Sequence, residues 1–182
     1  KHRAKIELKA DRDQEFDSGS GISSITLTSE KTETIFILGK IWGFLKYHHP
    51  AIAKGNYNWD YELFRILPKL LQSKNIAERN ILLSNWIESL GVPSSGQSVK
   101  INSAAVKLYP DLNWINDTSE LNTKLVRQLN DIKNAKRPET HYYIDLTKSV
   151  GSPEFTNENT YDKLTYPDAG FQLLSLYRYW NI

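Results

Sequence analysis

The spacing of hydrophobic residues changes near residue 30. Before that point, residues 6–9 and 25–28 alternate apolar and polar side chains, and a period of two predicts short β-strands. The Ser- and Gly-rich residues 17–21 lie between them and predict a turn. We therefore expect an extended or β lead-in over residues 1–29, and one interpretation is that it forms the end of a preceding β domain.

From residue 30 onward, apolar residues recur every three or four positions, which predicts amphipathic helices. Pro50 and Pro68 are expected to end or kink the first two helices, and Gly91 is a natural stop for the third. The predicted helices cover residues 30–48, residues 58 or 60 to 68, residues 76–90, residues 117–132 (starting from a capping box of Asp117 and Glu120) and residues 171–182.

The remaining segments carry weaker signals. Residues 141–146 alternate like a strand, a Gly-, Pro- and Asn-rich loop follows, and a short helical turn is predicted around residues 104–109. The fold class predicted from these elements is mainly α, with four to five packed helices and short β segments at the N-terminus and near residues 141–146. Residues 30–182 would form one helical domain. The last helix remains apolar to its final residue, so we expect it to be truncated.

Composition narrows the classes of function. The 182 residues are 40% hydrophobic and 24% charged, and 23 basic against 21 acidic residues give a net charge of +2. Without a basic block, we expect no nucleic-acid partner. The absence of cysteine excludes disulfides, thiolate catalysis and cysteine zinc sites. No apolar run is long enough for a transmembrane segment, and no motif implies a cofactor.

Neighbouring histidines at positions 48 and 49 are the first candidate site. Adjacent residues on a helix point about 100° apart, so His48 and His49 are poorly placed to share a metal ion, and no metal-binding motif includes them. We interpret them as a polar pair near a loop, with a ligand-binding or acid–base role as the alternative. The serines lie in turn sequences without a nucleophile elbow, so no catalytic residue is predicted.

Aromatic residues are the second candidate for binding. Tryptophan in a helical apolar pattern is expected in the core, but Trp59 and Trp114 lie near loops or helix ends beside Asn and Asp. A position on the rim of a peptide or glycan site is the alternative for these two residues. Asp60 is predicted to cap a helix, and Glu62 to pair with Arg65.

Several separated blocks of this chain resemble one protein family. They comprise LGKIWGFLKYHHP at 38–50, NWDYELFRILP at 58–68, LNWI at 112–115, HYY at 141–143, NE at 157–158 and GFQLLSLYRYWNI at 170–182. Together with residues 16–22 of the lead-in, these blocks resemble the N-terminal region of secreted Bacteroidetes serine peptidases. That family is the tail-specific, or C-terminal-processing, class.

The place of this region in the domain order of that family implies a function for the chain. In that family a PDZ-like module and a Ser/Lys catalytic domain follow this region, and no residue of this chain matches the catalytic motif. The resemblance thus implies a non-catalytic, secreted, periplasmic or cell-surface domain that positions peptide substrate or the downstream PDZ-like and peptidase domains. The alternatives are a stand-alone peptide- or glycan-binding helical module and a structural spacer.

Overall fold

The computed structural model describes residues 7–93 and 110–181. These residues form a mainly α fold, which confirms the predicted fold class. The elements in chain order are α1 (Lys9–Arg12), α2 (Ser29–His48), α3 (Pro50–Ala53), α4 (Trp59–Leu70), α5 (Ile76–Ser89), a 3-10 turn (Asn113–Asn116), α6 (Thr123–Lys133), β1 (Ile144–Leu146), β2 (Pro153–Phe155) and α7 (Ala169–Trp180). The helical turn predicted around residues 104–109 lies outside the described residues.

Helix α2 is the centre of the fold and packs against α4, α6 and α7. Its predicted apolar face is confirmed, because Leu38, Ile41, Trp42 and Leu45 are all fully buried. The side-chain oxygen of Thr28 accepts the Lys31 N–H and caps its start, which satisfies one of the free amides of the first turn. His49, which precedes Pro50, has left the helical conformation and ends α2 as predicted.

Helices α4 and α5 follow the predicted boundaries closely. Asn58 caps α4, while α5 ends beside Gly91, whose φ of 92° is readily accessible only to glycine. Asp60 is therefore not the cap residue of α4, and its carboxylate has another partner, described below. Pro68 lies in the last turn of α4, which ends at Leu70.

The start of α6 differs from the predicted position. The helix is capped by Asn122, whose side chain accepts the Leu125 N–H at 2.9 Å. Asp117 instead accepts the backbone and hydroxyl hydrogens of Ser119 and closes a separate turn. The predicted capping box was wrong because Asp side chains form such local turns as readily as helix caps. The apolar face was right, since Leu121, Leu125, Leu129 and Ile132 are buried.

The N-terminal lead-in contains no strand in its described part. Residues 22–28 have no strand partner, and Leu8 precedes the short helix α1. Three hydrogen bonds hold the segment instead of a sheet: the Asp168 carboxylate accepts both the N–H and the hydroxyl of Ser20, and the Ile22 carbonyl accepts from Gly170. The segment thus binds the start of α7.

Two glycines of α2 let α7 approach closely. A Cβ at Gly39 would lie 2.9 Å from the Tyr177 ring, and one at Gly43 would lie 1.9 Å from Asn181 Oδ1. Tyr177 is 1% exposed, and its hydroxyl donates to the carbonyl of Ile35. The two helices therefore interlock through pairs spaced four residues apart, which lie on one face of each helix.

The predicted strand near residues 141–146 is confirmed in part. Strand β1 is shorter, from Ile144 to Leu146, and pairs antiparallel with β2 so that Asp145 lies opposite Glu154. The residues just before β1 instead bind the helical core, where Tyr142 N–H donates to the Ala53 carbonyl at 2.8 Å. The small sheet thus projects from the helical core.

Candidate functional site

A row of aromatic and basic side chains runs along one face of α2, from the exposed Phe36 to the buried Phe44 and the half-buried His48. Phe36, Lys40, Phe44 and His48 are spaced four residues apart, which places them on one side of the helix. The Lys40 ammonium lies 4.8 Å from the Phe36 ring, and the His48 ring stacks on Phe44 at 4.4 Å. Rings and cations in this arrangement attract each other through the ring quadrupole.

Two tryptophans from other elements extend this row. Trp114, on the 3-10 turn, meets Phe44 edge-on at 6.0 Å and Lys40 at 5.4 Å. Trp180, at the end of α7, lies 5.2 Å from Phe36. We call these six side chains the aromatic row: Trp180, Phe36, Lys40, Trp114, Phe44 and His48.

At the α7 end of the row, large apolar side chains reach the surface. Leu176, Tyr179 and Trp180 share one face of α7 and are 55%, 79% and 49% exposed, and Phe36 beside them is 38% exposed. These four residues form the α7 patch. Trp180 is thus only half-buried, whereas the predicted core positions of Trp42 and Trp86 are confirmed.

At the opposite end of the row, a cleft of about 340 Å³ opens beside His48. Arg137 lies at this cleft and donates from Nη2 to His48 Nδ1 at 2.7 Å. Burial and the nearby cations Arg137 and Lys133 lower the His48 pKa to about 4. The imidazole is therefore neutral at pH 7, with Nδ1 as an acceptor and its proton on Nε2.

Hydrogen bonds to the backbone hold His141 at the same cleft. Its Nε2 donates to the Lys46 carbonyl at 3.1 Å, and its Nδ1 accepts from Tyr143 N–H at 3.1 Å. Burial lowers its pKa as well. Both ring nitrogens are thus occupied, so His141 is a fixed wall of the cleft.

The structure separates the two predicted histidines. His49 is 1% exposed, and its Nδ1 accepts from Ala51 N–H at 3.2 Å, which caps α3. Burial lowers the His49 pKa to about 4. His48 instead lies in the aromatic row at the surface. Among residues 7–93 and 110–181, no three histidine or acidic side chains are placed to hold a metal ion.

The two tryptophans with a rim position as the alternative lie in different surroundings. Trp59 is fully buried, and its ring stacks on Trp86 at 5.2 Å and on Trp42 at 6.2 Å. The rim alternative is therefore wrong for Trp59, because helix α4 begins at this residue and turns its side chain into the core. Trp114 is half-buried in the aromatic row, which agrees with a rim position.

A charged cluster lies beneath the surface between α2, α4 and α7. Lys46, with only 1% of its side chain exposed, pairs with Glu158, and Asp60 pairs with Arg178. The Tyr161 hydroxyl donates to Asp60 at 2.7 Å. Buried charges in proteins are normally paired in this way. No local pattern in the sequence indicates this cluster, because its partners are more than 100 residues apart along the chain.

The predicted pair of Glu62 and Arg65 is present. Arg65 Nη1 lies 2.7 Å from Glu62, and Asp13 and Glu15 also bind this guanidinium. The other Glu62 oxygen accepts from Trp86 Nε1 at 3.2 Å. Glu62 therefore joins α4 to α5, and Arg65 joins α4 to the lead-in.

A second, strongly polar pocket of about 160 Å³ lies between the lead-in and α4. Its acidic side chains already have partners. Asp11 accepts from the Tyr142 hydroxyl at 2.5 Å, Asp13 from Arg65, and Asp17 from the Tyr61 hydroxyl. These contacts attach the lead-in to the helical core, so the acidic side chains of this pocket have a structural role.

Comparison with family models, with curated proteins and with solved structures found no match for the chain. Within the described ranges, no helix has the length and apolar character needed to cross a bilayer.

Proposed function

We propose that this chain is a non-catalytic helical domain of a secreted or cell-surface serine peptidase of the tail-specific class. It would position peptide substrate, or the PDZ-like and peptidase domains of the same protein, by contact through the α7 patch. The resemblance described above gives the class of the parent protein. The exposed α7 patch is the single observation that carries the contact role.

The resembling blocks belong to one structural unit in this fold. Blocks 38–50, 58–68 and 170–182 lie on α2, α4 and α7, and their rings meet in the core, where Trp42 is 5.9 Å from Tyr177 and stacks on Trp59. Aromatic side chains that pack against one another form a single core, so the residue types at these positions depend on one another. The shared pattern therefore supports a shared domain.

The α7 patch has the character of a protein contact surface. Aromatic side chains are enriched at the centres of interfaces, and a contiguous exposed apolar patch on a folded domain marks an interaction site. The patch is built on two helices that interlock at Gly39 and Tyr177, so little conformational entropy would be lost on binding.

In each histidine of the described fold, the accepting ring nitrogen, Nδ1, is already hydrogen-bonded. His49 caps a helix, His141 binds two backbone groups, and His48 accepts from Arg137. A general base must hold its accepting nitrogen ready for the proton that it removes. These roles support a positioning function for the chain and not a hydrolytic one.

The contact role is tested with the complete protein in which this domain occurs. The domain, supplied separately, should associate with the remaining domains in sedimentation velocity. The variant Tyr179→Ser/Trp180→Ser should weaken this association at least tenfold, while Tyr166→Ser, which changes a 92% exposed side chain outside the patch, should not. Equal effects of both variants, or no association of the wild-type domain, would contradict the proposal.

The non-catalytic role has its own test. The isolated chain should leave a casein substrate intact, and hydrolysis that a serine-directed inhibitor abolishes would overturn the assignment. The open reading frame tests the parent class directly, since it should encode a Ser/Lys peptidase domain. A reading frame without one would remove the peptidase assignment and leave the contact role to the association experiment.

A second candidate function is favoured by the half-buried Trp114 in the aromatic row. Indole faces beside cations are typical of peptide and glycan sites. Titration with peptides or oligosaccharides should then change the tryptophan fluorescence, and Trp114→Phe should remove most of this change. A structural spacer would give no response in either this titration or the association experiment.

A further inference from the structure

We propose that the cleft between α2 and the segment after α6 binds the carboxylate group of an organic acid or of an acidic peptide side chain. It lies at the His48 end of α2, twelve residues or about 18 Å from Phe36. The site is therefore separate from the α7 patch, and the inference does not depend on the contact role proposed for that patch.

The guanidinium of Arg137 is the main reason for this assignment. Its Nη2 bonds a neutral imidazole nitrogen, His48 Nδ1, and within the described ranges no carboxylate lies within ion-pair distance of it. Arg65, Arg79 and Arg178 all pair with carboxylates. Arg12 and Arg127 are exposed and make no ion pair within the described ranges either, but only Arg137 of these three lines the cleft. Arg137 thus keeps donors free for a bound anion, and a guanidinium matches a carboxylate with two parallel hydrogen bonds.

The groups beside Arg137 also act mainly as donors. His48 carries its proton on Nε2 because Nδ1 accepts from Arg137. Burial and the Glu158 charge raise the Tyr47 pKa to about 12, so its phenol remains a donor at neutral pH. A lining rich in donors favours an acceptor-rich ligand, and a carboxylate accepts without donating.

The cleft also has apolar walls. Pro138 and Ile144 line it together with the Tyr47 ring, and they offer contact to the carbon chain that bears the carboxylate. Its volume of about 340 Å³ falls within the range of small-molecule sites. An aliphatic dicarboxylate, or a glutamate side chain with its neighbours, suits this size and lining.

Among the residues that the structure describes, Glu139 is the one carboxylate that lines the cleft. It is exposed and makes no ion pair with Arg137, so its charge opposes a bound anion. This gives the site a matched pair of variants. Arg137→Gln removes the binding cation, whereas Glu139→Gln removes the opposing charge on the same wall.

NMR titration of the folded chain with sodium glutarate, at constant ionic strength, tests the proposal. We expect saturable shifts of the His48 ring signals and a higher His48 pKa in the bound state, because a nearby anion favours the imidazolium. Arg137→Gln should weaken binding at least tenfold, Arg137→Lys should restore part of it, and Glu139→Gln should strengthen it. Circular dichroism of each variant checks that these exposed changes leave the fold intact.

Parallel titrations distinguish the source of the carboxylate. A blocked peptide with one glutamate should compete with glutarate if acidic side chains are the ligand, and should bind far more weakly if free acids are. The absence of saturable shifts up to about 50 mM glutarate would overturn the proposal. So would binding that is unchanged in Arg137→Gln, or equal shifts with glutarate, inorganic phosphate and chloride.

Discussion

Trp42 and Trp59 exchange hydrogen bonds: each indole N–H donates to the backbone carbonyl of the other residue, at 3.1 and 3.0 Å. Both side chains are fully buried, and their rings stack at 6.2 Å. The pair joins the middle of α2 to the first residue of α4. Each bond also satisfies a polar group that would otherwise be buried without a partner.

Replacing Trp59 should therefore destabilise the fold through two separate effects. Trp59→Phe keeps a ring but removes the indole donor to the Trp42 carbonyl, which should lower the free energy of unfolding by about 0.5–1.5 kcal/mol. Trp59→Ala adds a cavity and should cost about 3–5 kcal/mol. Urea unfolding measures both, with Trp180→Phe at the surface as the control. A Trp59→Phe variant as stable as that control would contradict the importance of the exchanged bonds.

The buried pair of Lys46 and Glu158 should show strong coupling. Glu158→Gln leaves the 1% exposed ammonium of Lys46 without its nearest anion, so we expect a loss of about 3–5 kcal/mol. The double variant Lys46→Met/Glu158→Gln should regain much of that loss, because no buried charge then remains unpaired. A double-mutant cycle by chemical denaturation measures the coupling, and simple additivity of the two changes would contradict it.

The two glycines of α2 should differ in their tolerance of alanine. At Gly39 the new methyl group would press on the Tyr177 ring, which is buried and held by its bond to Ile35, and we expect a loss of about 1–3 kcal/mol. At Gly43 it would meet the end of the Asn181 side chain, which can rotate away. Thermal unfolding of Gly39→Ala and Gly43→Ala tests this order. An equal or larger loss for Gly43→Ala would show that Asn181 cannot yield.

Buried neutral histidine should make the fold sensitive to mild acid. Unfolded histidine binds a proton near pH 6.5, whereas folded His49 remains neutral down to a pKa of about 4. The unfolded state thus binds more protons in this window, so stability falls as the pH drops from 6.5 towards 4. His49→Asn keeps a cap acceptor for α3 but does not titrate, and it should lose less stability over that range.

The measurement for His49 is the free energy of unfolding between pH 7 and pH 5, where few carboxylates titrate. His48→Gln serves as a comparison, because His48 has a similarly lowered pKa but is partly exposed. Identical slopes for wild type and His49→Asn would contradict the assigned neutral state of His49.

Local patterns in the sequence predicted the helices well, and long-range contacts explain where prediction failed. The apolar faces of α2, α5 and α6 follow directly from their spacing, as does the stop at Pro50. The lead-in could not be predicted in the same way, because Ser20 bonds Asp168 far along the chain. Alternation alone predicts a strand there, but within the described residues the lead-in has no strand to pair with.

The candidate site was harder to predict than the helices, because it too depends on long-range contacts. Trp114 and His48 were single candidates in the sequence, and only the folded chain brings both onto Phe44. The four-residue spacing of Phe36, Lys40, Phe44 and His48 was visible in the sequence and could have indicated the row. Arg137 gave no local signal, because its role depends on the position of His48 across the cleft.

The contacts of α7 also affect how the newly synthesised chain folds. Tyr177 and Asn181 fill the glycine side of α2, and Arg178 neutralises Asp60 in α4, so the core is closed by residues that are synthesised more than 100 positions after their partners. Contacts this distant in sequence slow folding. Until residues near 181 are available, the surfaces of α2 and α4 that α7 covers remain exposed. We therefore expect chaperones to bind the nascent chain during this interval.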